Sequence, residues 1–138
     1  MLTTKGGQEE MLKKHNPGGM APAFSRYSLG VEAPPEVRWL FVSGQVGVGP
    51  NGALAEGPEA QMETAWRNVF TILGSAGMGP GDLVRVNAYL TREEDVGLYR
   101  EVRDRLLGGA EPASTLLVIS ALAHPEWRVE IEAVAAAD

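Results

Sequence analysis

The chain has 138 residues, of which 44% are hydrophobic and 22% are charged, so we expect one globular domain with a single core. The absence of cysteine excludes disulfides, thiol nucleophiles and thiolate metal sites. The formal net charge of −6 argues against nucleic acid as a partner, because such binding depends on Lys and Arg neutralising phosphates. No apolar run approaches the ~20 residues that span a bilayer, and no secretory signal is recognisable. We therefore expect a cytoplasmic protein with no membrane partner.

The first 20 residues are polar and Gly-rich and show no apolar period. This composition predicts a flexible arm over residues 1–20, followed by one folded domain over residues 21–138. His15 lies in the arm, and we expect it to be solvated, because a ligand role would need partners that this segment lacks.

Two strands are predicted after the arm. Residues 24–31 (FSRYSLGV) fit a strand that carries Tyr27, and residues 37–43 (VRWLFVS) have the β-branched and aromatic content of a half-buried strand. The Ala-Pro-Pro turn between them favours an antiparallel hairpin. Gly44 then interrupts the second strand, which indicates a bulge with a short continuation over residues 46–48.

The first helix is predicted over residues 58–76, with Pro58 at its first position and Gly77 at its C-terminal cap. Its apolar face follows the i, i+3, i+4 rule and comprises Met62, Ala65, Trp66, Val69, Ile72, Leu73 and Ala76. Residues 83–90 (LVRVNAYL) alternate and predict a third strand. Its side facing the helices comprises Val84, Val86, Ala88 and Leu90, and its opposite side comprises Arg85, Asn87 and Tyr89.

A capping box formed by Thr91 and Glu94 predicts the start of a second helix. The buried stripe of this helix comprises Val96, Tyr99, Val102 and Leu106. Its charged residues are assigned to the solvated side, which comprises Arg100, Glu101, Arg103, Asp104 and Arg105.

Two further strands are predicted near the end of the chain. Residues 114–120 (STLLVIS) are nearly all apolar, which favours a strand buried on both faces, whereas residues 128–134 alternate. Glu130 and Glu132 share one face of the second of these strands. Burying a carboxylate is costly unless it is paired or hydrogen-bonded, so this face is either solvated or part of a site, and the pattern leaves both open.

The element order is β-β-α-β-α-β-β, which predicts a two-layer α+β fold with both helices on one face of a mixed sheet. The other sheet face stays uncovered and carries Tyr89, and Tyr27 is a second candidate for this face. Because this face has more apolar surface than solvent accommodates well, we expect the protein to associate with copies of itself.

Familiar catalytic motifs are absent from the sequence. There is no G-x-S-x-G, H-E-x-x-H or Walker motif, and the only two histidines, His15 and His124, are far apart. A serine–histidine dyad and a metal site are therefore not expected. The Gly-rich run SGQVGVGPNG follows a strand but opens no helix, so it lacks the context of a phosphate-binding loop.

Several segments in combination resemble the RidA (YjgF) family of reactive-intermediate deaminases. They are LFVSGQVGV, N-V-F-x-I-L-x-x-A-G on the first helix, DLVRVNAYLT, EPAS and VEIEAVA, and they extend from Ala21 to the C-terminus. The resemblance implies a chorismate-mutase-like fold and a homotrimer with small-molecule sites in the clefts between subunits. It also implies hydrolysis of enamines and imines to ketoacids and ammonia without a cofactor.

The same resemblance implies roles for individual residues. Glu130 matches the glutamate that positions water, and the ligand-binding positions are Tyr27, Ser43, Gly44, Tyr89, Ser114 and Leu116. Ser114 stands where the resemblance implies an arginine that grips the substrate carboxylate, and Leu116 stands where many members have a small polar or thiol residue. Arg26 faces away from Tyr27 on a regular strand and Arg85 lies four residues from Tyr89, so neither is a convincing substitute for the missing arginine.

Three functions remain open. The first is a hydrolase for an imine or enamine, in which Ser114 shifts the substrate class from carboxylates to neutral molecules. The second is a non-catalytic metabolite-binding trimer, which the missing arginine favours. The third is an endoribonuclease, which the acidic charge and the lack of a basic groove disfavour. The retained Glu130, Tyr27 and Ser43 put the hydrolase first.

Overall fold

Residues 11–138 are described by a computed structural model. The strands are β1 (Lys13–His15), β2 (Gly30–Glu32), β3 (Arg38–Val46), β4 (Leu83–Leu90), β5 (Ala113–Val118) and β6 (Val129–Ala137). The helices are α1 (Pro58–Ser75) and α2 (Val96–Leu107), with short 3-10 helices at Pro80–Asp82 and Glu93–Asp95.

The main sheet has four strands in the order β3-β6-β4-β5. β6 runs antiparallel to both of its neighbours, whereas β4 and β5 are parallel and are connected through α2. The C-terminal strand therefore occupies the centre of the sheet. The expected α+β fold with a mixed sheet is confirmed, and the predicted bounds of the third strand match those of β4.

The core lies between the helices and the inner face of the sheet. α1 buries most of the predicted stripe, namely Met62, Ala65, Trp66, Val69 and Leu73. The sheet residues in the same core include Val86, Ala88 and Leu90 of β4 and Ile131, Ala133 and Ala135 of β6. The Trp66 ring stacks on the Tyr99 ring of α2 with centroids 6.5 Å apart, so that one aromatic pair connects the two helices.

The predicted hairpin between residues 24–31 and 37–43 is wrong. Within the first segment, Ser28 forms an isolated bridge with Ala113 of β5, and only the end of the segment belongs to a strand. This strand, β2, pairs with β1, so that Lys14 lies opposite Val31. β3 pairs instead with β6, which offers a long run of apolar and small residues along the whole of β3. A sequence-distant strand that buries more surface therefore replaces the neighbouring one.

Part of the predicted arm contacts the domain. Leu12 is buried, whereas the His15 side chain is 48% exposed, as expected for a solvated residue, and its Nε2 lies 2.7 Å from Glu32 Oε1. Residues 1–10 lie outside the described residues, and the division of the chain at residue 20 stays a prediction.

Two details of β4 and β5 differ from the prediction. The ladder between β4 and β6 shifts register between Leu83 and Arg85, which buries Leu83 and leaves Val84 only half-buried. β5 is an edge strand, and its residues Leu117 and Val118 are 47% and 44% exposed in the single chain. The prediction that this strand is buried on both faces is therefore wrong for the isolated chain.

The predicted capping box at Thr91 and Glu94 is also wrong. The chain makes a 3-10 turn over Glu93–Asp95 before α2 begins, and no side chain caps the helix. Asp95 is instead buried and accepts two hydrogen bonds from Arg128, from Nε and Nη2, each at 3.0 Å. This bidentate ion pair attaches the start of α2 to the residue that precedes β6.

We predict that Asp95→Ala lowers the free energy of unfolding by about 3 kcal/mol, because it leaves the mostly buried Arg128 guanidinium without its anion. The matched control is Glu63→Ala, which breaks the half-exposed Arg105–Glu63 pair and should cost about 1 kcal/mol or less. Urea unfolding of the three proteins measures both effects. Equal losses in the two variants would contradict a structural role for the Asp95 pair.

Candidate functional site in two parts

The SGQ motif forms a bulge in β3. The ladder between β3 and β6 skips a residue after Val42, so Ser43 and Gly44 together lie opposite Glu132. The bulge brings the backbone of Gly44 against the side chain of Glu130, and a Cβ at this position would overlap the Glu130 carboxylate. A side chain at this position would therefore displace the Glu130 carboxylate, so glycine is what allows the carboxylate to lie against the bulge. The predicted bulge is confirmed, although β3 continues only to Val46.

The uncovered face of the sheet gathers polar residues from three strands. Tyr89 lies opposite Glu130 and Asn87 lies opposite Glu132, and directly opposed residues point to the same side of a sheet. Glu130 and Glu132 thus share this face, as their alternation predicts. We refer to these residues as the sheet-face cluster, which comprises Ser43, Gly44, Asn87, Tyr89, Glu130 and Glu132.

The two carboxylates of the cluster have different surroundings. Glu132 Oε2 accepts hydrogen bonds from the Tyr89 hydroxyl at 2.6 Å and from Asn87 Nδ2 at 3.1 Å. The hydrogen bond from Tyr89, and to a smaller extent that from Asn87, lowers the pKa of Glu132. The hydrogen bond to Glu132 in turn raises the pKa of Tyr89. Within residues 11–138 the structure gives the Glu130 carboxylate no hydrogen-bond donor from the protein. The Glu132 carboxylate therefore already accepts hydrogen bonds from its neighbours, whereas the Glu130 carboxylate can accept them from water or a ligand.

A cleft of about 290 Å³ lies beside the cluster on this face. Its lining includes Phe41, Ser43, Arg85, Asn87 and Glu132. The Arg85 guanidinium donates from Nη2 to Thr115 Oγ1 at 2.8 Å, which holds it along the neighbouring strand β5.

Three other candidate residues line a different depression, which we call the edge pocket. It has a volume of about 170 Å³ and is lined by Phe24, Ser25, Tyr27, Arg100, Arg103, Ser114 and Leu116. Ser114 and Leu116 lie opposite Val86 and Ala88 of β4, which are buried under the helices. The edge pocket is therefore on the helix side of the sheet, beside the free edge of β5.

Tyr27 reaches the edge pocket from a bent segment and not from the predicted strand, so its placement on the uncovered sheet face is wrong. The next residue, Ser28, is buried and donates from Oγ to the carbonyl of Glu111 at 2.5 Å. Its backbone N–H donates to the carbonyl of Pro112 at 3.2 Å. The Tyr27 hydroxyl accepts a hydrogen bond from the backbone N–H of Phe24 at 3.3 Å. These contacts fix the aromatic side chain next to the start of β5.

The single chain therefore divides the sequence-derived site residues into two groups. Ser43, Gly44, Tyr89 and Glu130 lie in the sheet-face cluster, whereas Tyr27, Ser114 and Leu116 lie in the edge pocket. The two groups project from opposite sides of the same sheet, because Glu130 pairs with Tyr89 while Ser114 pairs with the core residue Val86.

Sequence reasoning missed two arginines of the edge pocket. Arg103, which was assigned to the solvated side of α2, is only 4% exposed, and Arg100 lines the same pocket. The assignment of Arg105 is correct, since it is exposed and paired with Glu59 and Glu63 of α1. A signal was present, because Arg103 follows Tyr99 by four residues and so lies on the same side of the helix.

The described part of the chain shows neither a metal-binding cluster nor a membrane-spanning helix. Residues 11–138 contain no cluster of three or more His, Cys, Asp or Glu side chains that could hold a metal ion. Neither α1 nor α2 is long and apolar enough to cross a membrane.

The fold and the bulged β3 next to the strand-borne carboxylates define an α+β protein of the YjgF-like, chorismate-mutase-like class. The sequence model of the endoribonuclease L-PSP family matches residues 19–137. The chain therefore belongs to this family, the Rid/YjgF family, whose members are typically multimeric and bind small molecules. The resemblance to RidA proteins is thereby confirmed.

Individual relatives agree with this assignment. Protein DfrA of Myxococcus xanthus is 31% identical over 128 residues, which cover 91% of this chain and 96% of that protein. A RutC family protein of Aquifex aeolicus is 36% identical over 67 residues, which cover 48% of this chain and 51% of that protein. Among solved structures, YyfB of Yersinia pestis, a Rid family protein described as of unknown function, is 28% identical with a TM-score of 0.82. That comparison covers 92% of this chain and 99% of YyfB.

We predict that Tyr89→Phe lowers stability in a pH-dependent way. Because the folded-state pKa of Glu132 is lowered, its ionised form contributes stability that is fully present above the ordinary value of 4.5 and is lost as the pH falls through the folded value. Tyr89→Phe removes the main donor, so its deficit relative to wild type should be largest at neutral pH and should shrink on acidification.

Urea unfolding of both proteins across the acidic range measures the deficit. The control is Tyr27→Phe. The Tyr27 hydroxyl accepts only the backbone N–H of Phe24, so its removal should lower stability by an amount that does not depend on the protonation of Glu132. A Tyr89→Phe deficit that stays constant with pH would contradict the assigned hydrogen bond.

Proposed function

We propose that the protein is a cytoplasmic, homotrimeric RidA-like hydrolase that binds a small imine or enamine between subunits and releases ammonia without a cofactor. The observation that carries this proposal is the placement of the Glu130 carboxylate against Gly44 at the β3 bulge. A carboxylate that lies against the backbone of Gly44 and has no hydrogen-bond donor from residues 11–138 suits a residue that binds and activates water.

The chemistry requires one activated water molecule. Glu130 takes a proton from water while the water oxygen attacks the carbon of the C=N bond, and it then passes this proton to the nitrogen, which gives a carbinolamine. Glu130 next moves the hydroxyl proton of the carbinolamine to the nitrogen while the C–N bond breaks, so that ammonia leaves and a carbonyl group remains. An enamine enters the same sequence after protonation at carbon gives the imine.

Glu130 suits this role better than Glu132. The Glu132 carboxylate accepts hydrogen bonds from Tyr89 and Asn87, and its lowered pKa makes it a weaker proton acceptor. Glu132 therefore acts as a structural anchor for Tyr89, which lies across the strand from Glu130.

A site between subunits reconciles the two groups of candidate residues. The sheet-face cluster and the edge pocket lie on opposite sides of one sheet, so they meet only if the edge pocket of one subunit faces the cluster of another. The uncovered face also exposes Trp39 and Phe41, which are 51% and 74% exposed in the single chain. Apolar side chains of this size favour burial in an assembly.

We predict that the purified protein is a trimer with about three times the 14.7 kDa mass of one chain. Phe41→Glu places a charge on the uncovered face and should shift the mass to that of a monomer. Thr71→Glu, an exposed position on the outer side of α1, is the matched control and should leave the trimer intact. Light scattering after size-exclusion chromatography measures all three. A monomeric wild type, or a Phe41→Glu trimer, would contradict the proposed assembly.

For catalysis, we predict that Glu130→Gln slows imine hydrolysis at least about 10²-fold, because the amide cannot accept the proton of water. Gly44→Ala should give a similar loss, since the added methyl group displaces the flexible end of Glu130 while the fold is kept. Glu132→Gln is the matched control on the same strand face, and it should lower stability more than turnover.

The assay follows 2-iminobutanoate, generated in place, by its ultraviolet absorbance and by ammonia release. Wild-type protein that leaves unchanged the spontaneous rates of both this imine and its neutral amide, 2-iminobutyramide, would refute the hydrolase. Equal losses of turnover in Glu130→Gln and Glu132→Gln would refute the particular role of Glu130.

One observation favours a second function, a metabolite-binding trimer without turnover. Ser114 offers one neutral hydroxyl where the resemblance implies a bidentate guanidinium, which removes a contact that orients a carboxylate substrate. Binding of small metabolites without hydrolysis would support this alternative. An endoribonuclease is disfavoured, because the net charge of −6 gives little attraction for RNA.

A further inference from the structure

The edge pocket contains two arginines from α2, Arg100 and Arg103, to which the proposed hydrolysis assigns no role. Arg100 and Arg103 are three residues apart, which places them on one side of the helix, and both line the pocket together with Ser114 and Tyr27. The volume of about 170 Å³ is below the range of ~300–1,000 Å³ for drug-sized ligands, so it fits only a small metabolite.

The guanidinium of Arg103 is held in place before any ligand binds. It donates from Nε to Asp104 Oδ1 at 3.0 Å and from Nη2 to Ser25 Oγ at 3.2 Å. It also lies 6.0 Å from the centre of the Tyr99 ring, within the range of a cation–π contact. These contacts use Nε and Nη2, whereas a guanidinium carries five N–H donors on three nitrogens.

Arg100 carries an unsatisfied donor. Its Nε is buried, and within residues 11–138 it has no hydrogen-bond partner. Buried N–H groups of this kind almost always have an acceptor in a native protein, and a turn of the Arg100 side chain toward an anion in the pocket would provide one.

The charges around the edge pocket favour an anion. Arg100 and Arg103 line it, and the nearby carboxylate of Asp104 is shared between Arg103 at 2.9 Å and Arg26 at 4.0 Å. Three arginines therefore accompany one aspartate. Because Arg103 is almost fully buried, its charge is little screened by solvent.

We propose that Arg100 and Arg103 form a carboxylate-binding subsite in the edge pocket, built by α2 in place of the arginine that the resemblance implies at position 114. The small side chain of Ser114 leaves this side of the pocket open to the helix-borne guanidinium groups. The ligand is then a small 2-oxo or 2-imino acid and not a neutral imine, contrary to the expectation from Ser114 alone. This inference rests on the proposed function, because it names the substrate class of the same site.

The test compares 2-oxobutyrate with its neutral amide, 2-oxobutyramide, as ligands of the intact protein in calorimetric titrations. We expect wild type to prefer the carboxylate at least about tenfold, as a charge-assisted hydrogen bond predicts. Arg100→Met should abolish that preference, and Arg103→Lys, which keeps the charge but loses the planar fork, should weaken it. The matched control is Arg105→Met on the same helix, which does not line the pocket and should keep the preference.

A second readout needs no destabilising variant. In wild-type protein, 2-oxobutyrate should shift the Nε–H resonance of Arg100, assigned by its loss in Arg100→Lys, whereas 2-oxobutyramide should leave it unchanged. A wild type without carboxylate preference, or a preference that survives both Arg100→Met and Arg103→Lys, would overturn the subsite.

The binding result is independent of turnover. Carboxylate preference that depends on Arg100 in a protein without hydrolysis supports the subsite and refutes the hydrolase. Hydrolysis of 2-iminobutanoate at the wild-type rate in both Arg100→Met and Arg103→Lys supports the hydrolase and refutes the subsite.

Discussion

The ion pair between Arg128 and Asp95 fixes the point at which the last strand enters the sheet. The Arg128 guanidinium donates two hydrogen bonds to the buried Asp95, and its backbone N–H donates to Gln61 Oε1 at 2.8 Å. Gln61 in turn donates to the carbonyl of Glu126 at 3.2 Å. Both helices therefore hold the residues just before β6, and a slip of one residue would move every side chain of β6 to the other face.

The position of β6 determines what the uncovered face can do. With this register, Glu132 lies within reach of Tyr89 and Asn87, and Glu130 lies at the β3 bulge, where Gly44 leaves room for its carboxylate. Two glutamates with the same pattern thereby acquire different environments. One is held by hydrogen bonds that stabilise its charge, and the other keeps its acceptors free for water.

Strong periodicity made α1, β4 and the two-layer architecture predictable, because a regular apolar spacing places its residues on one face in only one type of secondary structure. The partner of β3 was not predictable in this manner, since its choice depends on the area that β6 buries across a long sequence separation. The start of α2 was missed because Asp95 pairs with Arg128 across 33 residues of chain, a contact that no local capping pattern contains. Of the candidate site, the bulge and the shared face of Glu130 and Glu132 were accessible from local pattern, whereas the division into two groups required the strand register.

The arginines of α2 show why a motif compared position by position can miss the physical group that matters. A guanidinium lies at the end of a long side chain, so arginines at different sequence positions can each place this group in the same small pocket. Arg103 is assigned to solvent by its charge alone, yet its spacing from Tyr99 places it on the buried side, where Asp104 and Ser25 offset the cost of burial. The pocket beside Ser114 is therefore lined by guanidinium groups from α2, although position 114 itself carries no charge.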